Sequence, residues 1–352
     1  MHMSNRLRLL PVLILLPIVF GGGSALADPV NCGDIIVVDT KLEANLSCGS
    51  EPGLAIDADG VTLDLNGFTI SGSSLEIGVF SGGFSGITIK NGSISGFQFG
   101  IYMVETADVE IKQLTFANQT QDSVVIFDGV NVNIADIQVS VPETAGSAII
   151  LIDVDNATVK NATVDGGGFG VLSNGDSRIS DNLIVQDCVF ANIGHEGVGI
   201  RIINNTGAKA HRNTIIGNEL AGGCYAGIDV VGDEPSTHIH FAHNVITGCG
   251  FGIFVAAGPP STDIHIQKNH LYANEDGIFL VGVQDSRIIE NRAYLNHSVG
   301  IALVDDTTGN KILHNTASGN GIWDMGHTLG SVPNQWHANT CGTSEGIDVD
   351  CP

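Results

Sequence analysis

A glycine-isoleucine-like step, then an outward position, then another apolar residue recurs about eleven times in this chain, and that repeat limits the fold more than any other feature. It begins at Gly78-Val79, Gly100-Ile101, Ser123-Val124, Ser147-Ala148, Gly170-Val171 and Gly199-Ile200, and continues at Gly227-Ile228, Gly252-Ile253, Gly277-Ile278, Gly300-Ile301 and Gly321-Ile322. The spacing runs from 21 to 29 residues. A unit of that size cannot bury a core alone, so its copies must stack and share one. A second pattern keeps step with the first. Asn182, Asn213, Asn244, Asn269, Asn291 and Asn315 each follow an apolar residue by three positions, and Asn218, Cys249, Asn274, Asn296 and Asn320 come five residues after five of them. Asn66, Asn91 and Asn161 open similar turns in the first half. Parallel strands in successive coils lie about 4.8 Å apart, so like residues fall on like. Asparagine at the corners tolerates left-handed backbone angles, and its amide can bond from coil to coil.

The pattern predicts an all-β, right-handed parallel β-helix solenoid of about eleven coils with capped ends. A leucine-rich repeat would need the LxxLxLxxN pattern and a helical half, and a β-propeller would need a repeat of about 40 residues. Neither is present. The expected organisation is a signal peptide over 1–27, an N-terminal cap over 28–57, the parallel β-helix over 58–322 and a C-terminal cap over 323–352. The leader reading rests on Arg6 and Arg8, the apolar run Leu9 to Phe20 and the small-x-small site Ala25-Leu26-Ala27. A secreted or periplasmic location follows from it, with no membrane span after the signal is removed.

Export permits disulfides. Cys32 with Cys48 and Cys341 with Cys351 are the simplest pairs, Cys224 and Cys249 occupy matching places in adjacent repeats, and Cys188 is then the odd thiol. The balance of 38 acidic against 14 Lys and Arg side chains, a net charge of −24, argues against nucleic acid as a partner. A polysaccharide partner remains, and an anionic one would need a local basic patch or bridging Ca²⁺, the one cofactor left open.

The run Asp59-Gly60-Val61-Thr62-Leu63-Asp64-Leu65-Asn66-Gly67-Phe68-Thr69-Ile70-Ser71-Gly72 resembles the opening coil of exported right-handed β-helix proteins in the pectate-lyase-like superfamily. The stretch Leu46-Ser47-Cys48 before it, and Asn334-Gln335-Trp336 with Asn339-Thr340-Cys341 near the end, are similar to the same family. The resemblance spans nearly all of the chain beyond the leader. It implies the fold and export. Its members include polysaccharide lyases, glycoside hydrolases, uronan epimerases and periplasmic proteins associated with copper-site maturation. The Asp-Pro-His signature of alginate epimerases is absent, as are the Asn-Thr-Asp of polygalacturonases and the Trp-x-Asp-His of pectate lyases. No catalytic residue transfers by motif, and no metal ligand set is read.

Candidate residues come instead from the columns. The position after each glycine-isoleucine step should point outward, giving Phe80, Tyr102, Val125, Ile149, Leu172, Arg201, Asp229, Phe254, Phe279, Ala302 and Trp323. A mostly apolar outward column with Arg201 and Asp229 at its centre suits sugar stacking around a charged pair, or else a face covered by other protein. The two longest repeats bring His195, Glu196 and Tyr225 nearby. Four residues before the late asparagines run Arg178, Lys209, His240, His265, Arg287 and Lys311, a ladder that would either meet an adjacent acidic column or bind a polyanion. For β-elimination or epimerisation of an acidic glycan, Arg201 and Lys209 would hold the carboxylate. His240, His195 or Tyr225 would move protons, and Asp229 would orient a base; Glu196 with Asp229 would be the alternative hydrolase pair. Phe254, Phe279, Arg178, His265, Arg287 and Lys311 would bind substrate. The competing reading is a non-catalytic scaffold or adhesion protein.

Overall fold

The computed structural model describes residues 29–142, 146–218, 223–258, 260–328, 330–346 and 349. The expected signal peptide lies outside them. Every named element among the described residues is a strand, and all strand pairing is parallel. Face A is a sheet of 14 strands running from Ile35–Ile36 to Ser344–Glu345, with one strand from each coil. Two further stacks, faces B and C, follow each of its strands before Ser344–Glu345. They count as one sheet because Thr88–Ser95 and Ala107–Ala117 run unbroken around the corner between them. Short pairs such as Ser180–Asp181 with Asn205–Thr206 fill the turn between faces A and B. The solenoid expected from the repeat is therefore present, and strand pairing continues to either side of 58 and 322, which accounts for the strands of face A beyond the roughly eleven coils expected.

Residues alternate in and out along each strand, and the inward ones are fully buried. Phe97, Phe116, Phe190 and Phe241 share the interior with columns of Ile, Val and Leu. The glycine of the repeat serves this packing. A Cβ at Gly170 would collide with the Phe190 ring and the Gly199 carbonyl, so only a very small residue lets face A pass that close to the core.

The corner between faces B and C explains most of the asparagines. One inward column there reads Leu114, Ile137, Ala162, Cys188, Asn213, Asn244, Asn269, Asn291, Asn315 and Asn339, all buried. In its second half each Asn side chain accepts from the backbone N–H and side-chain amide of its predecessor and donates to a backbone carbonyl. Asn269 receives both bonds from Asn244 at 3.0 and 2.9 Å and gives its own to Asn291 Oδ1 and the Phe241 carbonyl. A second ladder runs through Asn274, Asn296 and Asn320 to Asp324, and a third links Asn310 to Asn334. The left-handed residues of this corner are not these asparagines but the ones before them, Arg212, His243, Lys268, Glu290 and His314. Asn66, Asn91, Asn161 and Asn182 do take positive φ, as expected, on the exposed side of their turns.

Four expected alignments shift. Ile149 is buried and inward, and Ile150 pairs with Val125 in the outward column, so that coil starts at Ala148 rather than Ser147. At the far end Met325 pairs with Ile301 and Gly326 with Ala302, displacing Ile322 and Trp323. Asn182 belongs to an exposed ladder on Asn156, and Cys188 holds the place in the buried column, its N–H donating to Asn213 Oδ1. Arg178 is not in the basic column, because Ile184 pairs with Lys209. The cause of the last two is common: the turn before Ser180 inserts residues, so counting back from Asn182 lands in the wrong corner.

Cys32 bonds Cys48, and Cys224 bonds Cys249 from directly opposed positions in face A. Cys341 is also disulfide-bonded, while its expected partner Cys351 lies outside the described residues. Burial pushes the free Cys188 thiol up to about 12, which makes it inert at neutral pH. Asn269→Ala should cost about 3 kcal/mol, since it strands a buried carbonyl and two buried donors, whereas exposed Asn182→Ala should cost under about 1 kcal/mol. Urea unfolding of the two variants beside the parent measures the difference.

Candidate functional site

Face A carries the most structured group of the expected site residues. Arg201 and Asp229 are register partners in adjacent strands, Val198–Ile203 and Cys224–Gly232. Their side chains form a forked pair, Nε to Oδ2 at 2.9 Å and Nη2 to Oδ2 at 2.6 Å, with Nε also 3.1 Å from Oδ1. Asp229 is completely buried, and the guanidinium covers it at 22% side-chain exposure. Arg201 is itself held between rings, 5.0 Å from the Phe169 centroid and 6.0 Å from that of Tyr225. Burial pushes the Asp229 carboxyl up to about 6, against the opposing hydrogen bonds and charge of Arg201. The carboxylate is thus occupied and out of reach of solvent.

Beside the pair lies a cleft of about 480 Å³ lined by His195, Glu196, Arg201, Cys224, Tyr225 and Gly250. His195 and Glu196 are exposed, from the turn that leads into the Arg201 strand, and Tyr225 is 39% exposed. Next to the cleft the rings gather. Phe251 stacks on Phe254 at 4.6 Å and meets Phe279 at 5.4 Å and Tyr225 at 5.6 Å, edge to face. A separate group of Phe80, Phe99, Tyr102 and Phe127 stands on the same face nearer the start of the chain.

The remaining expected residues stand elsewhere. Lys209, His240, His265, Arg287 and Lys311 are consecutive register partners, but on face B, so they project away from a different sheet. Arg201 and Lys209 therefore do not share a carboxylate, and His240 does not face Asp229. The expectation of one site built from all four is corrected by the alternation of the strands: Ile200 and Ala210 turn inward from different faces, and their neighbours turn outward from them. Arg178 is exposed in the turn between faces A and B, bonded to Asp155 and to the Asp153 carbonyl at 2.6 Å each. Among the described residues no acidic column pairs with the ladder along its length; Asp263 reaches His265 at 3.1 Å and His238 at 3.5 Å. His240 lies between the rings of His211 and His265, with its Nε2 buried and unbonded.

Four of these rings escaped the column reading, Phe99 and Phe127 in the earlier group, and Phe169 and Phe251 beside the charged pair. Phe169 and Phe251 precede a glycine of the repeat, as Phe99 does, and Phe99-Gly100-Ile101-Tyr102 and Phe251-Gly252-Ile253-Phe254 are the same four-residue pattern. That pattern was available in the sequence. Among the described residues no group of three or more His, Cys, Asp or Glu is placed to hold a metal ion. Both oxygens of Asp229 accept hydrogen bonds from Arg201. No described helix is long and apolar enough to cross a membrane.

Arg201→Ala should destabilise the fold by about 3–5 kcal/mol, because it leaves a buried charge unpaired, while joint Arg201→Leu and Asp229→Leu should recover most of the loss. Denaturant curves of the single and double variants test this. His211 gives a pH effect of known sign. Burial, then the charges of His240, Arg212, Lys209 and His243, hold it down at about 4. The unfolded chain, with a histidine near 6.5, binds more protons between those values, so stability falls as pH drops through that window. His211→Gln should reduce the fall in Tm between neutral and acid pH.

The family model for the right handed beta helix region matches residues 52–215 and 197–335. Among solved structures, the chain is similar to the A-module of the mannuronan C-5 epimerase AlgE6 of Azotobacter vinelandii. There the identity is 14%, the coverage 91% of both chains and the TM-score 0.52. It is also similar to PfbA, a surface adhesin of Streptococcus pneumoniae, at 14% identity, 82% of both chains and a TM-score of 0.53. Identities that low show a common fold alone. No curated protein matches the chain. With most of the solenoid covered by the family model and every coil present in the structure, the chain belongs to the right handed beta helix family.

Proposed function

We propose that this protein binds an extended polysaccharide along face A, outside the cytoplasm, and that it does so without chemistry at Arg201 and Asp229. The observation that carries this reading is the ring platform of Tyr225, Phe251, Phe254 and Phe279, partly exposed on a parallel sheet and edged by a guanidinium held in an ion pair. Aromatic faces suit the apolar faces of sugar rings, and Arg201 offers its remaining N–H groups to hydroxyl or carboxylate oxygens at the platform's edge. The disulfides fit an oxidising compartment. A general base needs a free lone pair within reach of its proton, and Asp229 has neither freedom nor access.

One observation favours a second reading. His195, Glu196 and Tyr225 line a single cleft with Arg201, and these are groups able to move protons while the cation holds a uronate carboxylate. Lyase or epimerase chemistry on an acidic glycan would be run by that set. Calorimetric titration with a panel of neutral and uronate oligosaccharides separates the readings when followed by ultraviolet absorbance for an unsaturated product. The expected result is binding that Phe254→Ala weakens tenfold or more, about 1.4 kcal/mol, with no product formed. Product formation that His195→Ala abolishes would replace the binding reading with the lyase one, and binding untouched by Phe254→Ala would remove the platform.

A further inference from the structure

The stack that forms faces B and C reverses its charge along the solenoid. In the early coils its outward residues include Asp108, Glu110, Asp136, Asp165 and Asp187. From residue 208 onward the same stack, segments 208–218, 239–248, 264–273, 286–295, 310–319 and 334–342, contains a single carboxylate, Glu290. Six of the chain's 14 Lys and Arg residues fall in those segments: Lys209, Arg212, Lys268, Arg287, Arg292 and Lys311. On a protein of net charge −24 this concentration is local and one-sided.

Its geometry is a groove at the corner. A depression of about 420 Å³ is lined by His243, Lys268, His270, Glu290, Arg292 and His314, with Asn291 and Thr316. His243, Lys268, Glu290 and His314 all hold positive φ, so the left-handed turn points one side chain per coil away from the axis, at a spacing of about 4.8 Å. Glu290 engages Lys268 at 3.5 Å. Arg292, Arg287 and Lys311 have no ion pair among the described residues, and all three are exposed. On the strands that carry His270 and Arg292, the next outward positions are Tyr272 and Tyr294, whose rings stack at 5.3 Å with an interplanar angle of 11°.

We propose that this corner is a second binding site, selective for an anionic polysaccharide lying along the stack. Arg287 and Lys311, neighbours in one column of face B, and Arg292 on the strand across the corner can meet successive acidic groups, and the tyrosine pair on the strands of His270 and Arg292 offers a ring surface to the sugars. A single glycan strand can occupy the corner alone. A nucleic acid duplex, broader than the corner, would also bring phosphates toward the rest of a protein whose net charge is −24, a repulsion felt over a screening length of about 8 Å. The site stands on a different face from the platform of Tyr225 and Phe254, and holds or fails independently of it.

The test is affinity for dextran sulfate, polygalacturonate, neutral dextran and duplex DNA, measured on the parent, Arg292→Glu, Lys112→Ala and Phe254→Ala proteins. The dextran pair differs only in sulfate, and the polygalacturonate arm distinguishes a carboxylate from a sulfate preference. The site is supported if at least one anionic glycan binds more tightly than neutral dextran, loses tenfold or more in Arg292→Glu, weakens with added salt, and is unchanged in Lys112→Ala. Retention of that binding in Phe254→Ala assigns it to the corner and not to face A. The proposal is overturned if neither anionic glycan exceeds neutral dextran, if Arg292→Glu leaves the affinity unchanged while its melting temperature matches the parent, or if DNA binds more tightly than both glycans.

Discussion

Each coil of this protein turns corners whose backbone amides are shut away from water, and their partners must come from the coil above or below. That requirement governs the rest. Asn213 through Asn339 meet it in the second half, where one side chain satisfies two donors on one neighbour and a carbonyl besides. The arrangement works only if every coil keeps the same register at that point. In the first half the corner is filled by Leu114, Ile137 and Ala162 instead, and Cys188 stands at the change from one to the other. A misplaced residue within a coil therefore cannot be absorbed locally and is expelled into a turn, as in the insertion before Ser180.

Register copying also distributes chemistry. Because side chains repeat coil upon coil, a property at one position becomes a stripe: rings along part of face A, cations along the later coils of faces B and C. Strand alternation keeps those stripes apart. Arg201 and Lys209 are close in sequence, yet a turn and a change of sheet separate them. A solenoid surface of this kind suits long repetitive ligands better than one converging reaction centre, unless a loop such as the one bearing His195 and Glu196 leans over the face.

The fold was legible because its signals are redundant. Losing the true step at Ala148-Ile149 to Ser147-Ala148 did not hide the repeat, since neighbouring coils still carried it. Register within single coils was less legible, and for a physical reason: Ile149 and Ile150 are chemically alike, so nothing in composition says which faces the core. Asn182 and Cys188 show the converse, where the residue type pointed to the wrong corner because two different turns both use asparagine. The salt bridge of Arg201 with Asp229 was readable as an adjacency in one column, but not that Asp229 would be wholly buried under it. The basic groove was missed although His243, Lys268, Glu290 and His314 each precede a ladder asparagine and His270 and Arg292 each follow one, because a left-handed Lys268 or His243 is not what sequence statistics lead one to expect at a corner.

Oxidative footprinting of side chains, with and without a bound acidic glycan, bears most directly on the claim that the ligand-facing stripes are separate surfaces. Protection of Tyr225, Phe254 and Phe279 as one group, and of Tyr272, Tyr294 and His314 as another, each with its own dependence on glycan concentration and salt, is the expected result. A single protected patch joining Arg201's neighbours to His240 and Lys209 would contradict it, because no strand register in this fold brings those residues to one face.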